Sequence, residues 1–227
     1  MLVIANSLIS IINNKLESVI IFINVICWVF IRKLSDITLN QQIPEKGLIM
    51  ELQKALETRR SVRAYDAGKK VTKEQVKELV EAAILAPSWK NSQTARYYCI
   101  LDETTIQRFS SECLPEFNAK NTQNAAYIIT TFVANHSGFD RNGTPDNECG
   151  NGWGYYDLGL HNENLLLKAT ELGLSTLVMG IRDADAIRSM LAIPEAETIV
   201  SVIAVGYGTS EPTMPKRKAA EDILKFY

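Results

Sequence analysis

Histidine is nearly missing from this chain: His136 and His161 are the only two in 227 residues. That supply is too small for a histidine-built metal centre, so no metal site is expected. Cysteine is sparse as well. Cys27, Cys99, Cys113 and Cys149 lie far apart and form no CxxC pair, which excludes a dense disulfide framework and zinc-type spacing. Reduced, structural thiols in a cytoplasmic protein are the plain reading. Charge of one sign is lacking too. The 24 Lys+Arg against 26 Asp+Glu leave a formal charge of −2, without the basic surplus that general nucleic-acid binding needs. Nor is there a long apolar run: Val19–Ile31 spans about 13 residues, short of the roughly 20 that cross a bilayer. No Ser/His/Asp set and no pair of catalytic carboxylates stands out in the remainder.

What is present is the balance of an ordinary soluble globular protein, 46% hydrophobic and 22% charged, with length for one well-cored domain. The chain divides into two parts, 1–49 and 50–227. In the first, isoleucines crowd among asparagines, Lys15 and Glu17 precede the apolar stretch, and Arg32-Lys33 follow it. A signal peptide would put its positive charge first and end in a small-residue cleavage site, and this segment does neither. Three readings compete: a short membrane-associating anchor over residues 1–33, a helix that docks on the domain or its partner, or a translation start that truly lies at Met50. The third is favoured, because Ile, Asn, Lys and Phe are residues that AT-rich codons encode. Ser35–Ile49, with Pro44 and Gly47, reads as a flexible connector.

From Met50 onward helices and strands mix. Glu51–Arg60 is rich in helix formers, with Leu52, Ala55 and Leu56 on one face. Thr72-Lys73-Glu74-Gln75 is a capping box, followed by Val76, Leu79, Val80 and Ala83 at helical spacing until Pro87. Tyr97–Leu101 reads as a strand, and Asp102 caps a third helix. Ala125–Ala134 is an apolar, β-branched run, as in a strand covered on both faces. Ser137–Gly154 is a Gly/Asn/Asp-rich loop, either a lid or a disordered tip. Asp157–Leu172 is a long helix with Gly173 as its stop. Strand Ser175–Met179, a helix near Asp185–Leu191 and strand Ile199–Val205 follow. Without regular βαβ alternation, the expectation is an α+β domain with a central sheet and helices on its faces.

Four clusters carry possible chemistry. Arg59-Arg60-Ser61-Val62-Arg63 places three guanidiniums and a hydroxyl in five residues. Guanidinium forks pair bidentately with phosphate oxygens, although basic residues also simply complement a helix C-terminus. Ser88-Trp89-Lys90-Asn91-Ser92-Gln93-Thr94 alternates donors and acceptors, as the edge of an aromatic heterocycle requires, or is an ordinary surface turn. Leu172–Gly180 brackets an apolar strand with glycines, which lets backbone approach a flat ligand closely. Pro215-Lys216-Arg217-Lys218 is a second basic cluster, able to join the first on one phosphate or merely to solubilise the tail. Taken singly, each has a bland explanation.

In this order along the chain, Arg-Arg-Ser-Val-Arg, Ala-Pro-Ser-x-x-Asn-Ser-Gln, Gly-Leu-Ser-Thr and Pro-Lys-Arg-Lys together resemble the nitroreductase family, over Met50–Tyr227 and no part of 1–49. The helix Tyr156–Leu172 resembles that family's central helix. The resemblance implies a mostly antiparallel sheet flanked by helices, and an FMN-binding homodimer with both cofactors at the subunit interface. Arg59 and Ser61 would then hold the FMN phosphate, with Arg60 on phosphate or ribityl chain and Arg63 at the N1/O2 edge of the ring. Asn91, Ser92 and Gln93 would meet the isoalloxazine, Met179 and Gly180 would lie by its face, and Lys216 and Arg217 would complete the phosphate grip. Two departures stand out. Thr94 replaces the proline the family often has, and the tail reads Lys-Arg-Lys-Ala, so Asn91 and Arg217 match more fully than Gln93 and Lys216.

The implied activity is ping-pong transfer of hydride from NADH or NADPH through FMN to a small electron-poor acceptor such as a nitroaromatic or quinone. No protein residue need be catalytic, because the flavin carries the chemistry, and Arg63 would stabilise the reduced ring. A flavin-storage protein, a reductive dehalogenase and a flavin-dependent dehydrogenase share the resemblance. His136 and His161 read as polar packing residues.

Overall fold

The computed structural model describes residues 50–227. The apolar segment, its anchor reading and Cys27 lie outside the described residues. Ala126–Val133 (β2) is buried along nearly its whole length, as a strand with apolar and β-branched side chains on both faces must be. It lies inside a sheet. Ala95–Ile100 (β1) pairs with one side of it and Glu197–Gly206 (β4) with the other, while Ser175–Met179 (β3) pairs with β4. The order is β1-β2-β4-β3, antiparallel throughout.

Side chains alternate across this sheet with the period of two that a pleat imposes. Ala126, Ile128, Ile203 and Val205 point to one face. There they meet Val76, Leu79 and Ala83 of helix Lys73–Ala83 and Leu165, Leu166 and Ala169 of helix Gly152–Glu171. Tyr127, Ile129, Val202 and Ala204 point to the other. They pack on Phe109 and Cys113 of helix Glu103–Cys113 and on Ile187 of helix Ala184–Leu191. Each fully buried side chain of this kind contributes roughly 1.5–3 kcal/mol, so two helical layers hold the sheet between them. With Leu52–Thr58 and Glu116–Asn121 added, the helices are α1 (52–58), α2 (73–83), α3 (103–113), α4 (116–121), α5 (152–171) and α6 (184–191). Among the described residues no helix is long and apolar enough to cross a membrane.

The local signals act as their chemistry requires. Thr72 and Gln75 form the reciprocal capping box of α2. The Asp102 carboxylate accepts the Thr105 N–H at 2.8 Å and caps α3. Gly173 follows α5 with φ +70, the left-handed stop that glycine adopts without a Cβ clash. Three expectations need correction. Helix α4 lacks a side-chain cap and had no signature. Helix α5 begins at Gly152, five residues before the expected Asp157, because Gly154 lets the helix approach β2: a Cβ there would meet the Phe132 ring at 2.3 Å. The preceding loop is a hydrogen-bonded structure, in which Asp140 accepts the N–H groups of Asn142 and Thr144, each at 2.8 Å.

Candidate functional site

The arginine cluster sits where α1 ends and the chain turns extended. Arg59 is the C-cap of α1, its N–H donating to the Ala55 carbonyl at 2.9 Å. The following segment then runs beside β3. Ser61 bridges Thr176 in parallel sense, the Val62 N–H donates to the Thr176 carbonyl at 3.0 Å, and the Asp66 N–H reaches the Tyr207 carbonyl at 2.8 Å. Val62 and Tyr65 are buried while Ser61 and Arg63 are exposed. The Tyr65 hydroxyl donates to the Val62 carbonyl at 2.9 Å, and burial pushes its ionisation far above the ordinary tyrosine value. The segment is thus a near-strand with its polar side chains turned outward.

Those side chains have donors to spare. Arg60 donates to the Arg59 carbonyl at 2.7 Å and Arg63 to the Ser61 carbonyl at 3.3 Å. Arg59 has a loose ion pair with Glu163 of α5, at 3.9 Å. A guanidinium carries five N–H groups, so each retains capacity for an anion. Arg59 and Arg60, with Lys54, Val62, Thr176 and Pro212, line a cleft of about 500 Å³, whose rim also carries Glu57 and Glu211.

None of the remaining candidates lines that cleft. Asn91, Ser92 and Gln93 lie around the 3-10 turn Trp89–Asn91, with positive φ at Lys90 (47°), Asn91 (56°) and Gln93 (50°). Asn91 and Gln93 are exposed. The hydroxyls of Ser92 and Thr94 are buried without a hydrogen-bond partner. Met179 ends β3 with its side chain in the core beside Tyr127 and Ile187. What this strand end offers a ligand is therefore backbone and the bare face of Gly180, which has no atom within 4 Å of where a Cβ would stand. Lys216 and Arg217 are exposed, Arg217 donating to the Pro215 carbonyl at 3.1 Å.

The residues present fit an FMN. Three guanidiniums and a hydroxyl suit a phosphate, the open face of Gly180 suits a flat ring, and two orphaned hydroxyls lie in the loop expected to meet it. The two histidines are tied to main chain, His161 to the Asp157 carbonyl and His136 to the Ala134 carbonyl, each at 2.8 Å.

Two carboxylates escaped the sequence reading. Asp157 of α5 is 3% exposed and accepts both the Trp89 N–H, at 2.9 Å, and the Ser137 hydroxyl. Asp146 accepts Lys90 Nζ at 2.7 Å and Trp89 Nε1 at 3.0 Å. For Asp157 a signal existed: it occupies a core position of α5 at four-residue spacing with His161, Leu165 and Ala169, where an apolar residue belongs. Asp146, in a polar loop, had none.

Known proteins share this fold. A protein of Archaeoglobus fulgidus, provisionally named NADH dehydrogenase/NAD(P)H nitroreductase, is 26% identical over 71% of this chain and 87% of its own. A nitroreductase family protein from Clostridium difficile 630 superposes with a TM-score of 0.63 at 22% identity, over 78% of this chain and 98% of that one. A provisionally named nitroreductase from Exiguobacterium sibiricum, solved in complex with FMN, gives 0.65 at 21% identity, over 80% and 99%. The sequence model of the nitroreductase family matches residues 56–207, from the last turn of α1 through the end of β4, and the chain belongs to that family.

Proposed function

We propose that this protein is an FMN-dependent oxidoreductase that passes reducing equivalents from NADH or NADPH to small electron-poor acceptors such as nitroaromatics and quinones, with its working domain beginning at Met50. The observation that carries this is the segment Arg59–Arg63, pinned by its backbone to β3, with half-buried Arg59 and Arg60 lining a cleft and Ser61 and Arg63 exposed. The Archaeoglobus relative's name includes NAD(P)H, and the Exiguobacterium structure holds FMN.

In this reading Arg59, Arg60 and Ser61 grip the phosphate with charge-assisted hydrogen bonds. Arg63 would approach the ring, where a cation would stabilise added negative charge. Asn91, Ser92 and Gln93 would orient the ring, and Gly180 would let it approach the backbone closely. Bound FMN supplies the two-electron chemistry, alternating between donor and acceptor. Lys216 and Arg217 reach the phosphate from the tail.

A homodimer with the cofactors at the subunit interface accords with the distribution of apolar surface. Leu85 is 81% exposed and Ile181 65%, and the tail ends in exposed Ile223, Leu224, Phe226 and Tyr227. Exposed apolar groups of that size are available for contact with a second subunit. The test is the visible spectrum of the full chain and of Met50–Tyr227, with NAD(P)H added without oxygen. A yellow protein that bleaches, and recovers with a quinone or nitroaromatic, supports the reading. A colourless protein that takes up no added FMN removes it.

A further inference from the structure

The ring-facing loop has a geometry that its own sequence does not favour. Lys90, Asn91 and Gln93 all lie in the left-handed region, which non-glycine residues occupy at a cost and keep only where the surroundings over-determine them. One constraint is local: the Gln93 N–H donates to the Ser88 hydroxyl at 3.1 Å. The others come from residues that follow β2 in the chain. Asp157 Oδ2 holds the Trp89 N–H and, through the same oxygen, the Ser137 hydroxyl. Asp146 Oδ2 holds the Lys90 ammonium and the Trp89 indole N–H. Trp153 packs against Trp89 in a tilted pair with ring centroids 4.3 Å apart.

Asp157 is the unusual member. Its carboxylate is buried and forms no ion pair among the described residues. Burying a charge is expensive unless hydrogen bonds compensate, and both donors that compensate here fasten loops together. An apolar residue at this position would pack more cheaply, so the carboxylate serves the loops rather than the core.

We propose that Asp157 is a positioning residue for the flavin-facing loop and Asp146 its outer clamp. Together they keep Lys90–Gln93 left-handed, so that Asn91 and Gln93 stand outward. The inference rests on the reading that this loop meets the isoalloxazine, and it extends that reading to the elements that shape the loop before any ligand arrives.

Hydrogen exchange on the full-length, flavin-free protein tests it, followed by FMN titration. In Asp157→Ala, amide exchange over residues 89–93 rises about tenfold or more while β2 stays protected, since a lost hydrogen bond to a charged group has that size. FMN binding weakens by about the same factor, and competition by inorganic phosphate is unchanged because the arginine grip is intact. Asp157→Asn restores most of both, its carbonyl oxygen being able to accept two donors. Asp146→Ala, a change in an exposed loop, gives a smaller rise of about threefold confined to the same residues, and decides the matter should Asp157→Ala fail to fold. Exchange in 89–93 that stays unchanged in both alanine variants overturns the proposal. So does a rise spread over the whole domain with Asp146→Ala silent, which would make Asp157 a packing residue. A wild-type protein that takes up no FMN removes the flavin reading instead, and the exchange pattern still decides the brace.

Discussion

The two segments that carry the candidate flavin contacts are held by different means. Arg59–Asp66 is pinned by main chain: the N–H groups of Val62, Asp66 and Thr209 donate to the carbonyls of Thr176, Tyr207 and Ala64. Ser88–Thr94 is held chiefly by side chains, from Asp146 and Asp157, and by the tilted packing of Trp89 on Trp153. Backbone pairing is indifferent to what the side chains are, so the arginines are free to be chosen for charge alone. A loop shaped by other elements' side chains has no such freedom, and one substitution outside it can change its form. Beneath both lies the sheet, whose packing determines stability and takes in the side chain of Met179.

The comparison breaks most severely if a core change alters the site. Leu79 of α2 is fully buried against Ile128 and Leu165. Leu79→Ala should cost about 2–5 kcal/mol, read as a lower urea midpoint, with FMN affinity of the remaining folded protein unchanged. A fall in that affinity would show that the site depends on the packing beneath it.

The next effect is smaller and opposite in kind. Arg63→Ala should weaken FMN binding about tenfold, or about 1.4 kcal/mol, and slow flavin reduction, with the urea midpoint unmoved. Affinity within twofold of the wild type would remove Arg63 from the site. A lowered midpoint would show that the near-strand is not held by backbone alone.

The smallest effect concerns the outer clamp. Hydrogen bonding from Lys90 holds the Asp146 carboxyl below its ordinary 3.8, against the opposing effect of desolvation and with help from the Trp89 indole. A carboxylate depressed in this way contributes its stabilisation above its unfolded value and loses it as pH falls through its folded value. The clamp is therefore complete at neutral pH and opens only in the acid range below 3.8. Tryptophan fluorescence followed into that range should show a transition that Asp146→Asn lacks. A transition shared by both proteins would assign it to other groups.

Much of this architecture was legible in the chain. Apolar spacing located α2 and β2, Thr72-Gln75 and Asp102 marked helix starts, and Gly173 marked a stop, because these signals act within a few residues of themselves. Helix α4, uncapped and short, had nothing local to announce it. The true start of α5 was hidden because Gly154 answers to Phe132, a residue on a different element. The ordered loop before α5 was hidden for the same reason, its form depending on Trp89 and Lys90, which are distant in sequence.

Composition, spacing and the order of four motifs were enough to settle the fold class and the family, and to nominate the residues proposed to grip a phosphate. These depend on which side chains exist and how they repeat. The left-handed run at Lys90–Gln93, the burial of Asp157, the inward turn of Met179 and the open face at Gly180 belong to the packed molecule. Each arises where elements distant in sequence come within hydrogen-bonding or van der Waals reach, a distance that no periodicity along the chain encodes.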